Sequence, residues 1–300
     1  MSEDSKNYTE QELTAAFDDI ALALFKDVTA EPIPKILVVA GLQSSGKTYL
    51  LEKSLLPSGR YDNYVRLYLP EYREKHPRYT RLIEHGVLHA YEHTEAFIRD
   101  IGSKIFERAF AQKYNIVMEA AFDSLGFAAF PPAATKAGYQ FETHVVACCK
   151  DFAHLSSIKR AFKSIQVGEM ERFVTVPMLD ASLDHAKAAL PALETATQAV
   201  SGSTFYFYER GFGAFKERRL RARSTYTKDA ERDLIISGDQ QNYASLFETT
   251  TRRPIYELKD REEMVKECHR ALLATQTSTT PMPDSLYHDL YSYILRYVYR

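Results

Sequence analysis

No part of this 300-residue chain stays apolar for long. Its apolar runs, such as Ile36 to Ala40, fall far short of the about 20 residues that a helix needs to cross a bilayer. The start, MSEDSKNYTE, is acidic and polar, whereas a secretory leader opens on basic residues and continues into an apolar stretch. We therefore expect a soluble cytoplasmic protein without a membrane partner. Export by a machine that reads no cleavable signal stays open. Charge of one sign is also missing: 38 Lys and Arg against 40 Asp and Glu leave a net charge of -2, so bulk charge gives no reason to expect nucleic acid as a partner. Cysteine is scarce. Cys148, Cys149 and Cys268 show no CxxC or Cys/His spacing, which excludes a zinc ribbon or a disulfide framework and points to reduced thiols. No internal repeat and no low-complexity tract is present.

What is present is an alternation of short apolar runs with helical patterns. Thr9 and Glu12 have capping-box spacing ahead of Leu13, Ala16, Phe17 and Ile20, predicting a helix over 9–29 that Pro32 and Pro34 close. Lys35 to Ala40 (KILVVA) reads as a parallel strand covered on both faces. Further strands are expected at 64–69, 115–120, 141–148 and 204–209. Helices are expected at 47–56, 92–113, 131–138, 152–164 and 178–199. Such alternation predicts an α/β fold, a three-layer sandwich with a mostly parallel sheet and helices on both faces. We divide the chain into an N-terminal helical segment (1–32), an α/β domain (33–214) and a C-terminal helical extension (215–300). The extension would hold helices at 261–275 and 284–299 joined by a Thr/Ser/Pro linker at 275–283. Its basic stretch, Lys216 to Arg223, reads as a solvated helix face rather than a nucleic-acid patch.

The strongest motif is Gly41-Leu42-Gln43-Ser44-Ser45-Gly46-Lys47-Thr48, followed by Tyr49. It fits G-x-x-x-x-G-K-[ST] at every fixed position, between an expected strand and an expected helix. Gly41 and Gly46 permit the tight turn that points successive N–H groups into one cavity. The helix dipole aims at the same place, Lys47 adds a charge for the β- and γ-phosphates, and the Thr48 hydroxyl suits magnesium. ATP and Mg2+ are the expected cofactors. The motif alone leaves a kinase, an NTPase and a switch protein open.

Past the second strand, Arg73, His76 and Pro77 precede a long helix and then a strand that ends near Glu119. Arg160 lies on the helix after the fourth strand. Arg172 comes shortly before another helix, and Tyr206, Tyr208 and Glu209-Arg210-Gly211 close the fifth strand. In this order and spacing, residues 33–212 resemble the zeta toxin family of P-loop small-molecule kinases. The resemblance implies transfer of the ATP γ-phosphate to a hydroxyl of a nucleotide-containing acceptor, a nucleotide sugar such as UDP-N-acetylglucosamine or a dinucleotide such as NAD. It also implies an inhibitory antitoxin-like partner or an attached inhibitory helix, for which 9–29 is a candidate.

On this resemblance Arg160 and Arg172 are phosphate clamps, and Arg73, Glu119 and Asp123 face the substrate. One departure stands out. The family's catalytic Asp falls at Pro70, which cannot accept a proton, so the role passes to Glu71 or else to Asp123. Pro70 also keeps alive a degenerate binder that transfers nothing, and the basic 216–223 stretch keeps alive a nucleic-acid-stimulated NTPase.

Overall fold

The computed structural model describes residues 7–169, 171–212, 218–278 and 282–298. The boundary expected at 214 and 215, the first two residues of the basic stretch, the middle of the 275–283 linker and residue 299 lie outside the described residues.

The strands are β1 (Lys35–Ala40), β2 (Tyr64–Arg66), β3 (Asn115–Ala120), β4 (Gln140–Ala147), β5 (Ser203–Arg210), β6 (Arg218–Lys228) and β7 (Leu234–Gly238). The helices are α1 (Glu10–Leu24), α2 (Lys47–Leu50), α3 (Tyr79–Glu84), α4 (Val87–Ala111), α5 (Phe130–Lys136), α6 (Lys150–Val167), α7 (Val176–Ala199), α8 (Tyr243–Arg252), α9 (Leu258–Thr277) and α10 (Asp284–Val298). All seven strands form one sheet, in the order β2-β3-β1-β4-β5-β6-β7. From β2 to β5 the pairing is parallel, and β6 and β7 join antiparallel. The α/β fold with a mostly parallel sheet is as expected. Among the described residues no helix is long and apolar enough to cross a membrane.

β1 is apolar on both faces because both faces are covered. Leu37 and Val39 pack with Leu50, Leu51 and Tyr61 beneath the start of α2. Ile36, Val38 and Ala40 enter the main core, shared with α1, α4, α7 and α8. The capping box of α1 is present: Glu12 accepts from the Thr9 N–H at 2.7 Å, and Thr9 Oγ1 accepts from the Glu12 N–H at 3.2 Å. The helix stops at Leu24, five residues earlier than the periodicity suggests. Leu13 and Ile20 are buried in the main core, each worth about 2 kcal/mol, so α1 is a packed layer of this domain.

The basic stretch corrects the sequence reading. Residues 218–223 are not a helix face but part of a strand, in which Ala222, Ser224 and Tyr226 are buried and Arg221 and Arg223 are exposed. That alternation, with pairing to β5 across the sheet, overrides the helix propensity of arginine. Its arginines have internal neighbours: Arg221 pairs with Glu209 at 3.3 Å, and the Arg223 guanidinium lies over the Tyr206 ring at 5.1 Å. The extension is therefore helical only from α8 onward, and 218–238 complete the sheet.

α9 and α10 form a separate apolar cluster with α6 through Leu155, Ile158, Met264, Cys268, Leu290 and Tyr293. Polar contacts fix the register. Buried His154 stands 2.8 Å from the Tyr293 hydroxyl and 2.8 Å from the Val174 carbonyl. Asp151 accepts from Arg296 Nη1 at 2.6 Å and from the Tyr297 hydroxyl at 2.5 Å. The extension thus braces the helix that carries Arg160. Asp151→Ala leaves the buried Tyr297 hydroxyl without its acceptor, and we expect a loss of about 2–3 kcal/mol in urea denaturation. Lys187→Ala, which breaks an exposed pair with Asp184, leaves the midpoint unmoved.

Candidate functional site

The sheet topology prepares a crevice at the end of β1. The chain leaves β1 toward β2 and β3 on one side and returns through β4 on the other, so the segment after Ala40 lies where the strand order reverses. Gly41 begins that segment with φ +148°, and a Cβ there would stand 2.2 Å from the Val146 carbonyl of β4. Only glycine passes. Its N–H continues the ladder to the Ala120 carbonyl at 3.0 Å. Ser44 takes φ +60° and Gly46 φ +103°, completing the turn into α2.

Lys47 is buried, and its Nζ donates to the Leu42 carbonyl at 2.8 Å. Burial pushes its ammonium down to about 8, with the carboxylates of Glu119 and Asp123 opposing and the Arg160 cation reinforcing the shift. Arg160, Glu119 and Asp123 therefore share the field of Lys47. Thr48, at the exposed mouth, donates its hydroxyl to Glu119 Oε2 at 2.8 Å. The register explains that contact. Val39 lies opposite Glu119 in the β1–β3 ladder, so Glu119 shares Val39's face of the sheet, toward α2.

The loop also leaves polar atoms unsatisfied. Gln43 Oε1, Ser44 Oγ and Ser45 Oγ are buried without hydrogen-bond partners. Buried polar atoms rarely stay so unless a ligand or water completes them. With the N–H groups of the turn and a desolvated Lys47, these residues fit a polyphosphate. The oxygens of Thr48 and Glu119 fit a hard divalent cation.

The remaining predicted residues divide. Arg160 lies 2.6 Å from Glu171, and Arg172 Nη1 lies 3.9 Å from Glu95 with its guanidinium 5.3 Å from the Tyr91 ring centre. Arg73 is 2% exposed and turns into α4, donating to the Tyr91 carbonyl at 3.1 Å, Thr94 Oγ1 at 2.7 Å and Glu95 Oε2 at 2.7 Å. That commitment suits a brace between the 3-10 turn Pro70–Lys75 and α4. His76 is buried, and burial lowers it to about 4, so it is neutral; its Nδ1 accepts from the Arg78 N–H at 3.1 Å. Glu71 is exposed in the first turn of that 3-10 segment and makes no hydrogen bond or ion pair among the described residues. Asp123 is exposed in the loop after β3, next to Phe122, a buried non-glycine residue at φ +56°.

Sequence reasoning named Arg210, the last residue of β5, only as part of the strand-closing Glu209-Arg210-Gly211 and gave it no role. It is 4% exposed, donates to the Ser44 carbonyl of the loop at 2.9 Å and lies over Phe152 at 4.4 Å. An arginine at the carboxyl end of a parallel strand was the available signal.

A family model described as Zeta toxin matches residues 21–230. No curated protein matches significantly. Solved structures share the fold. One comes from the PezAT chromosomal toxin-antitoxin system of Streptococcus pneumoniae, with 14% identity, TM-score 0.60, and coverage of 90% of this chain and 98% of that one. Another is the AvrRxo1-ORF1:-ORF2 complex with ATP, with 11% identity, TM-score 0.54, and coverage of 95% and 86%.

The burial of Lys47 predicts a proton linkage. A polyphosphate restores its charge, so below pH 8 the charged amine is already in place and affinity is flat. Above pH 8 binding must take up a proton, and Kd rises by up to about tenfold per pH unit. Calorimetry at about pH 9 in two buffers of different ionisation enthalpy will show proton uptake that is absent at about pH 7 and in Lys47→Met. Equal heats in both buffers at the higher pH would refute it.

Proposed function

Because the chain belongs to the zeta toxin family, we propose that it is an ATP-dependent phosphotransferase. It moves the γ-phosphoryl group to a hydroxyl of a nucleotide-containing small molecule, with UDP-N-acetylglucosamine the first candidate acceptor and NAD the second. The observation that carries this reading is the P-loop itself: unsatisfied buried hydroxyls on Ser44 and Ser45 beside a Lys47 that makes no carboxylate ion pair among the described residues.

In this reading the N–H groups at the start of α2 and the Lys47 ammonium hold the β- and γ-phosphates within the Gly41 to Thr48 loop, with Tyr49 in the first turn of α2. Thr48 and Glu119 hold magnesium, which when bound neutralises charge between the β- and γ-phosphates. Among the described residues no cluster of three or more His, Cys, Asp or Glu side chains could hold a metal; the cation would be held by Thr48 and Glu119 together with the nucleotide it accompanies. Arg160 and Arg172 stabilise the charge on the phosphoryl group in flight. The acceptor oxygen bonds to the γ-phosphorus as the bond to the β,γ-bridging oxygen breaks. ADP departs, and the hydroxyl proton passes to a carboxylate.

Two carboxylates compete for that proton. Glu71 takes it if a one-residue shift replaces the missing Asp at Pro70. Asp123 takes it if nearness to the donor phosphates decides, since it shares the field of Lys47. Arg73 then supports the acceptor side through α4. The relative structures come from a toxin-antitoxin system and from a two-component complex, which supports an inhibitory partner for this chain as well. Pro70 favours a second reading, a nucleotide binder without transfer.

The test is mass spectrometry of a metabolite extract incubated with the purified protein and ATP. A nucleotide-containing metabolite will gain one phosphoryl group, and Lys47→Ala will slow this at least about 100-fold. Of Glu71→Gln and Asp123→Asn, the variant that replaces the base will slow transfer about 100-fold or more with little change in KM for ATP. If the wild type phosphorylates nothing, the second reading holds.

A further inference from the structure

Glu171 stands between the two arginines. Its Oε2 lies 2.6 Å from Arg160 Nε, and its Oε1 accepts from the backbone N–H of Arg172 at 3.1 Å. The carboxylate is 12% exposed, whereas Arg160 is 43% exposed. Its nearest approach to Arg160 is at Nε. Among the described residues the terminal Nη groups make no hydrogen bond, and the 43% exposed side chain stays open toward an anion. Arg172 has looser support, a 3.9 Å approach to Glu95 and the Tyr91 ring at 5.3 Å.

Glu95 is itself anchored by Arg73 at 2.7 Å. A chain of charges thus runs from α6 to α4: Arg160 to Glu171, through the peptide bond to Arg172, then to Glu95 and Arg73. Arg160 lies on α6, whose Phe152 supports Arg210, the donor to the Ser44 carbonyl, so one end of the chain sits on the helix that backs the P-loop.

We infer that Glu171 is a positioning residue that orients Arg160 by its Nε and fixes the backbone of Arg172, so that both arginines meet the terminal phosphate together. The inference rests on the reading that these arginines contact that phosphate. Holding a flexible arginine in place beforehand lowers the conformational entropy lost on binding. The benefit falls on the triphosphate alone, because the diphosphate has no terminal group for Arg160 to reach.

The experiment is calorimetric titration of the full chain, with magnesium, by ADP and by a non-hydrolysable ATP analogue. The wild type binds the analogue more tightly than ADP. Glu171→Gln loses about tenfold of that preference, the size expected for one charge-assisted contact, while its affinity for ADP and its melting temperature hold. Arg160→Ala loses a similar amount, and the double variant loses no more than Arg160→Ala alone. An unchanged preference in Glu171→Gln overturns the inference. So does additive loss in the double variant, an equal fall for both ligands, or a wild type that does not prefer the triphosphate. A protein that shows the coupling and yet phosphorylates no acceptor refutes the kinase reading and leaves the role of Glu171 standing.

Discussion

The close passage of Gly41 beneath the Val146 carbonyl is the constraint on which the rest of the site depends. A side chain there would collide with the backbone of β4 at 2.2 Å, and β4 cannot retreat because it pairs along its length with β1 and β5. The loop can therefore turn only as it does, tightly across the end of β1. That turn sends Lys47 into a buried position and leaves the Ser44 carbonyl facing Arg210. Arg210 in turn rests on Phe152 of α6. Loop, final parallel strand and Arg160-bearing helix thus meet around one backbone contact.

The same passage sets the energetics of the loop. A buried ammonium with one carbonyl acceptor is costly, and the shift of Lys47 to about 8 expresses that cost. Removing Lys47 would relieve it and also remove the charge that a polyphosphate needs. The site is thus strained in favour of an anion, and the unsatisfied Ser44 and Ser45 hydroxyls, which can donate to one, add to this. Stability is given up locally and supplied elsewhere, by the double-sided burial of β1 and by the bracing of α6 from α9 and α10. Activity and fold draw on different residues here. Gly41 is the exception, because it serves both.

Different parts of the molecule were legible to different degrees. The P-loop was readable because its chemistry needs fixed residue types at fixed spacing. β1 was readable because burial on both faces leaves a continuous apolar run, and β3, β4 and β5 because short apolar or aromatic stretches recur between helical patterns. β6 was not, since arginine at 218, 219, 221 and 223 masks an alternation visible only in Ala222, Ser224 and Tyr226. Glu119 was found at a strand end, but its hydrogen bond to Thr48 depends on register, which a single strand does not encode. Arg73 shows the reverse failure. Its spacing from His76 and Pro77 suggested a ligand contact, whereas its guanidinium is spent on α4. Glu171 and Glu95 carried no signal at all, because an acid that orients a base is defined by distance alone.

The two carboxylates proposed for the acceptor side sit on loops of different character. Pro70 opens a 3-10 turn and fixes the backbone ahead of Glu71, so Glu71 has a defined base but an unconstrained, exposed side chain. Asp123 has the opposite character. The residue before it, Phe122, adopts a left-handed backbone that an aromatic side chain avoids. Phe122 is held there by its ring against Phe247 and by its carbonyl, which accepts from His185 of α7 at 3.0 Å. A buried residue kept in an unfavourable conformation by packing from α7 and α8 sets the direction of its successor in the chain, and backbone strain of this kind gathers at functional loops. That successor is Asp123, in the field of Lys47.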